Sequence, residues 1–344
     1  MVDRRAFPKE IREILKNSQR SEEIHAGLWL DKYITDQSRD DTQSRRTFVE
    51  EVSTLSVPEA YKAFYTRWQK ALDDYGARRR EAIVQGRMSV GLGAESVLET
   101  SICLHRTYGV PYIPGSALKG LAASYTRLYL DEDERWKKEG AYYKVIFGNT
   151  DEAGYITFFD ALYVPPARGH ERQVLYPDII TVHHAEYYQG KQGAAPLDSD
   201  NPTPIPFLSA TGTYLVALAA PPDMPQPEAW INITFSILEK ALAELGIGAK
   251  TSSGYGRMKL KPPPAKPVDP ETKKAKGYIH ELEALKDIAG QIPGYSQKWQ
   301  QLKSEEAQML LAKAIVEKVR NAGREKMTVN KAWYRELRAF LGES

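Results

Sequence analysis

Apolar positions along the chain follow three successive patterns. From Asp3 to about Gln85 they recur at helical spacing among many charges, as in Phe64, Trp68 and Leu72. Pro58, with Ser56 as a cap, predicts a helix start there. Arg78, Arg79 and Arg80 read as a charged, solvated continuation of that helical region. From about Gly86 to Pro262 the period shortens, and SVGLGAESVLETSICLHRTYGVPYIPG alternates apolar and polar residues between glycine and proline breaks, as strands do. ALKGLAASYTRLYL then predicts a helix opened by Ser116, and YITFFDALYV, DIITVHH and TYLVALAA predict strands. AWINITFSILEKALAELG reads as extended at first and helical from about Ser236, with Gly246 at its C-cap. SGYGRMKL closes the region as a strand.

The order β-α-β…β-α-β predicts an α+β fold with a ferredoxin-like (RRM-like) sheet over residues 86–262. Residues 1–85 form a helical N-terminal elaboration on this reading, and 263–277, rich in proline and lysine, an extended linker. Residues 278–344 form a helical C-terminal appendage, with Leu310, Leu311, Ile315 and Val319 on one helix face.

Composition narrows the function classes. A net charge of +2 means that any nucleic-acid contact must come from local patches. The single cysteine, Cys103, excludes an internal disulfide and a cysteine-cluster metal site, and its setting in SICLH reads as a small buried apolar residue. No apolar run nears the roughly 18 residues of a membrane span, and the N-terminus lacks a signal-peptide core. The expectation is a cytoplasmic protein that does not contact membranes.

Chemistry concentrates in LGIGAKTSSGYGRMKL, Leu245 to Leu260, which holds four glycines, a Lys-Thr-Ser-Ser run and an arginine. A nucleotide P-loop is excluded: Ala249 precedes Lys250-Thr251, Glu244 occupies the first glycine position, and the loop leads from helix to strand. A dinucleotide fingerprint is excluded too, since GLGAES from Gly91 has Ser96 at the third glycine. Main-chain amides, hydroxyls and cations are the groups that hold a nucleic-acid backbone, and Lys250, Thr251, Ser252, Ser253 and Arg257 supply them. The alternative is a helix-to-strand turn whose glycines serve only its own geometry. A second stretch, YIPGSALKGLAASY, puts Ser116, Lys119 and Gly120 in the first turns of a helix, where orphan amides favour a phosphate.

IPGSALKG together with GIGAKTSSGYGR resembles the motif pair of the RAMP superfamily of CRISPR-associated proteins. LDKYI, FGN, FDALYV, HHAEYYQG and DSDNPTPIPFL, in that order, are similar to the sixth-subunit family of type III-B, or Cmr, effector complexes. The resemblance spans most of residues 20–260 and leaves the tail after Pro262 unaccounted for. It implies a non-catalytic RNA-binding structural subunit that caps the end of the complex holding the 3′ part of the crRNA. Its expected partners are crRNA, target RNA, the repeated backbone RAMP subunit and another end-capping RAMP subunit. By motif match it implies RNA contact by Ser116, Lys119, Gly248, Lys250, Ser252 and Arg257.

No cofactor or metal is expected. His183 and His184 are adjacent on a strand and point to opposite faces, and Asp198 and Asp200 lead into a turn at Asn201-Pro202. His183 fits an RNA anchor better, stacking on a base or donating to a phosphate, with Tyr187 and Tyr188 as neighbouring aromatics. Two alternatives stay open: a metal-independent endoribonuclease using His183 or His105 as base, and a pure protein–protein adaptor.

Overall fold

The computed structural model describes residues 24–34, 42–166, 173–182, 185–188, 190–193, 195–197, 202–263, 269–285 and 288–343. The chain divides into two compact units, Met1–Pro263 and Pro264–Ser344. Among the described residues, in chain order, the first unit contains α1 (Ala26–Lys32), α2 (Thr42–Ser53), α3 (Glu59–Asp74) and β1 (Arg78–Val84). It continues with β2 (Tyr112–Ile113), α4 (Gly115–Tyr129), α5 (Ala141–Phe147), β3 (Thr157–Phe158) and β4 (Ala161–Tyr163). Then come β5 (Leu175–Val182), α6 (Ala185–Tyr188), β6 (Thr203–Ala210), β7 (Thr213–Ala219), α7 (Pro227–Glu244) and β8 (Met258–Leu260).

The main sheet runs β2-β4-β7-β1-β8, with β3 also on β7, and every pair is antiparallel. A separate antiparallel hairpin, β5–β6, is inserted between β4 and β7, and α2, whose Phe48, Val49 and Val52 are buried, packs against it. Fully buried Val216, Ala217 and Leu218 make β7 the apolar centre of the sheet, where strands on both sides bury it.

Several expectations change: YITFFDALYV is two short strands, β3 and β4, Pro58 rather than Ser56 is the N-cap of α3, and three further differences have a visible cause. Arg78–Arg80 lie on β1 rather than on a helix, so strand structure starts inside the stretch assigned to the N-terminal elaboration. Arg78 stays exposed in an ion pair with Glu228 of α7, whereas Arg79, paired with Asp73 of α3, and Arg80, 4.5 Å from the Phe235 ring centroid, are half-buried. Strand alternation sends Arg78 and Arg80 toward α7 and Arg79 toward α3. Second, α7 is helical from Pro227, not from Ser236. Its β-branched start looked extended, yet Ile231, Thr234, Phe235, Leu238, Ala241 and Leu242 are buried at intervals of three and four, and packing outweighs propensity. Third, the stretch from Met88 to Pro111 forms isolated bridges, Met88↔Ala210 and Leu104↔Pro111, in place of full strands.

The second unit contains α8 (Pro270–Ala284), α9 (Ile288–Gln300), α10 (Glu305–Asn321), α11 (Glu325–Thr328) and α12 (Ala332–Phe340). Leu311, Ile315 and Val319 are buried in its own core, with Leu310 half-buried beside them. The helix at Pro270 begins within the stretch read as a linker. Asp269 caps it by accepting from the Glu271 amide, and Pro270 takes the first-turn position that needs no amide donor. Among the described residues no helix is long and apolar enough to cross a membrane.

Candidate nucleic-acid interface

The glycine-rich loop joins α7 to β8 as a pinched turn. Its neck is closed by Ile247 N–H donating to Gly256 O at 2.9 Å. The neck is docked on the segment that continues β1: Ala249 N–H donates to Ser89 O (2.7 Å), Gly256 N–H to Arg87 O (2.8 Å) and Gln85 N–H to Arg257 O (2.7 Å). Two glycines exist for this docking. A Cβ on Gly256 would stand 1.9 Å from Ile247 O, and one on Gly248 2.3 Å from Ser89 O, both at left-handed φ. Gly248 therefore serves the loop's own geometry, the alternative left open by the sequence.

Beyond the neck the loop is open. Lys250 adopts a left-handed conformation (φ 59°, ψ 32°) and starts a single 3-10 turn, Thr251–Ser253. Ser253 N–H and Tyr255 N–H both donate to Lys250 O. A left-handed non-glycine residue costs about 1–2 kcal/mol, and such strain collects at ligand-contact sites. Ser252 and Ser253 are exposed, while Lys250 and Thr251 are half-buried. Arg257 is partly committed elsewhere, because its Nη1 donates to Ala243 O and so caps the C-terminus of α7.

At the second motif the helix opens one residue earlier than expected, at Gly115 with Pro114 as N-cap, and Ser116 is an exposed first-turn residue. Asp160 Oδ1 accepts from Gly115 N–H at 2.7 Å, so one orphan amide of this N-terminus already faces a carboxylate. Lys119 is half-buried one turn further on. The two motifs are bridged by a backbone ladder. Cys103 N–H donates to Val90 O (2.7 Å) and Tyr112 N–H to Cys103 O (3.3 Å), linking the segment under the glycine loop to the strand preceding α4.

Sequence reading missed the residues that hold the loop in place. Register pairs Tyr176↔Ser209 and Asp178↔Phe207 set four side chains on one face of the β5–β6 hairpin. Tyr255 O–H, from the loop, donates to Asp178 Oδ2. Arg87 Nη1 donates to Ser209 Oγ at 3.2 Å while its guanidinium lies 3.8 Å from the Tyr176 ring centroid. Burial, then the Asp178 carboxylate, pushes the Tyr255 phenol up to about 12. The alternation of Tyr176 and Asp178 along one strand face was the available signal; their partners are distant in sequence.

His183, His184, Asp198, Asp200 and Asn201 lie outside the described residues. Tyr187 and Tyr188 are exposed, 52% and 74%, with rings 5.6 Å apart edge to face. His105 sits in an aromatic cluster with Phe64, Tyr108 and Tyr112, and its Nδ1 accepts from Thr107 N–H at 3.2 Å. Burial pushes this imidazole below its ordinary value, against the pull of Asp160. Cys103 is half-buried with its thiol raised by burial. Among the described residues no three His, Cys, Asp or Glu side chains group as metal ligands.

An antiparallel sheet with two inserted helices and a docked glycine-rich loop matches a known class. Residues 84–259, just over half of the chain, match the RAMP superfamily. Over 253 residues the chain is 31% identical to the CRISPR system Cmr subunit Cmr6 of Pyrococcus furiosus, covering 58% of this chain and 73% of that protein. Over 97 residues it is 31% identical to the corresponding subunit of Saccharolobus solfataricus, covering 28% and 30%. The chain belongs to the RAMP superfamily, and within it to the Cmr6 family. Among solved structures it resembles a chain of the type III-B Cmr-beta complex bound to cognate target RNA, with TM-score 0.49, 22% identity and coverage of 74% and 86%. It also resembles the crystal structure of Pyrococcus furiosus Cmr6, with TM-score 0.35, 31% identity and coverage of 54% and 98%.

Proposed function

We propose that the chain is a non-catalytic, RNA-binding structural subunit of a type III-B Cmr complex in the cytoplasm. It caps the end that holds the 3′ part of the crRNA and supports crRNA–target pairing. Its protein partners are the repeated backbone RAMP subunit and the other end-capping RAMP subunit. The sheet order β8-β1-β7-β4, with α4 and α7 in the two crossovers, supports reading the domain as ferredoxin-like.

The observation that carries the proposal is the glycine loop's division of labour. Its neck is consumed by docking, yet its tip presents Lys250, Thr251, Ser252 and Ser253 on a strained turn, and none of these side chains bonds to another described residue. Hydroxyls, a cation and turn amides suit phosphates, and a backbone reader leaves sequence discrimination to base pairing. Lys119 and Ser116 extend the same surface chemistry from α4. Gly248 acts indirectly here, by docking the loop, and Arg257 through one guanidinium edge. His183, with Tyr187 and Tyr188, is assigned to base contact.

The test separates a scaffold from a nuclease. A labelled crRNA-length RNA is incubated with the wild type and with His183→Ala/His184→Ala and His105→Ala variants, with and without divalent metal. Intact, bound RNA in every lane is the expected result. Discrete cuts lost in a histidine variant would establish the endoribonuclease instead, and absence of any RNA binding would leave the protein–protein adaptor.

A further inference from the structure

We propose that the C-terminal helical unit carries a second contact site for single-stranded RNA, centred on Trp333 between Arg324 and Lys331. The proposal rests on the reading that this chain works on RNA, but it concerns residues beyond the RAMP match, which ends at residue 259.

A cavity of about 270 Å³ opens where α9, α10, α11 and α12 meet, and Arg324, Met327, Thr328, Lys331 and Trp333 line it beside Pro293. Neither Arg324 nor Lys331 has a side-chain hydrogen bond or ion pair among the described residues, and both are exposed. No acidic side chain is among the lining residues described. Most nearby acids are already engaged. Glu325 accepts from Arg320 and from Tyr334 O–H, and Glu343 pairs with Arg320 and Arg338, while Glu336 accepts from the neutral Gln300 amide and keeps its charge. Arg324, Lys331 and exposed Arg335 outnumber that one uncompensated carboxylate, so the local field stays cationic. At the level of sequence, residues 264–344 hold 15 Lys and Arg against 11 Asp and Glu, a net +4, whereas residues 1–263 hold 32 against 34, a net −2.

The apolar half of the cavity selects among anions. Met327 is 77% exposed, the most exposed of the large hydrophobic side chains described, and Trp333 is only half-buried. Cations alone would serve an acidic peptide. A half-open indole beside two cations and a bare thioether instead accommodates a flat base, with phosphates on either side to neutralise Arg324 and Lys331. Thr328 does not compete for the ligand, because its Oγ1 donates to Arg324 O.

The full chain is tested for binding to a labelled oligouridylate across a salt series, and cross-linked to a 5-iodouridine RNA with the sites mapped by mass spectrometry. Arg324→Glu/Lys331→Glu should weaken binding at least fivefold and lower the salt slope by about 1.4, for two phosphates at about 0.7 each on a single strand. Cross-links should include Trp333. Melting temperature, read on the same samples, should stay that of the wild type, and Arg324→Lys should retain affinity. A folded reversal variant with wild-type affinity, or cross-links confined to residues 84–259, would overturn the proposal. So would displacement of the RNA by polyglutamate, which would assign the cavity to acidic peptides. Lys119→Ala/Lys250→Ala runs in parallel: loss of binding in that variant alone leaves the RAMP-domain reading standing and removes this one. Loss in the reversal variant alone does the converse.

Discussion

Gly256 and Gly254 sit two residues apart with similar left-handed φ of 72° and 88°, yet their surroundings differ completely. A Cβ on Gly254 meets nothing within 4 Å, while one on Gly256 meets Ile247 O at 1.9 Å. Gly254→Ala should therefore cost only the left-handed penalty, about 1 kcal/mol. Gly256→Ala adds a backbone collision and should cost about 3 kcal/mol or more, because the neck must open. Urea midpoints at unchanged slope measure both, and equal losses would contradict the docking account. Asp160 makes the same point at α4. Asp160→Ala removes the acceptor for Gly115 N–H and should cost about 1 kcal/mol by the same measurement. None of this was legible in the sequence: glycine count announced a special loop, but which glycines face backbone depends on Ser89 and Ile247.

The hairpin β5–β6 and the glycine loop behave as one element through Tyr255, Asp178, Ser209 and Arg87. Burial and Asp178 raise the Tyr255 phenol, so its contribution is complete below the ordinary tyrosine value and is lost as pH rises toward about 12. Urea midpoints followed from pH 9 to 12 should fall for the wild type, and Tyr255→Phe should flatten part of that fall. An unchanged pH slope in the variant would sever the loop from the hairpin. At this scale the sequence was informative where period and burial agreed. TYLVALAA is β7, ALKGLAASYTRLYL is α4, and the amphipathic tail is helical with its own core. It misled where a partner elsewhere decided the outcome. AWINITF is helical because its buried positions meet the core at helical spacing, and RRR is a strand because the buried β7 pairs with it from Arg78↔Leu218 to Arg80↔Val216. Asp269-Pro270 was a readable helix start hidden in a proline-rich stretch.

For the whole molecule, a net charge of +2 gives no general attraction to nucleic acid, so binding must be local and its salt dependence must count specific contacts. The candidate positions other than His183 were proposed from two contiguous motifs. The hairpin residues that hold one of them in place were not, since Arg87, Asp178 and Tyr255 converge only in the fold. The most direct measurement is the affinity of the full chain for crRNA-length RNA over a salt series, wild type against Lys119→Ala/Lys250→Ala. The account predicts weaker binding and a slope of log affinity against log salt shallower by about 1.4, with an unchanged melting temperature. A variant that binds with wild-type affinity and slope would contradict the claim that the glycine-rich loop and the start of α4 hold an RNA backbone.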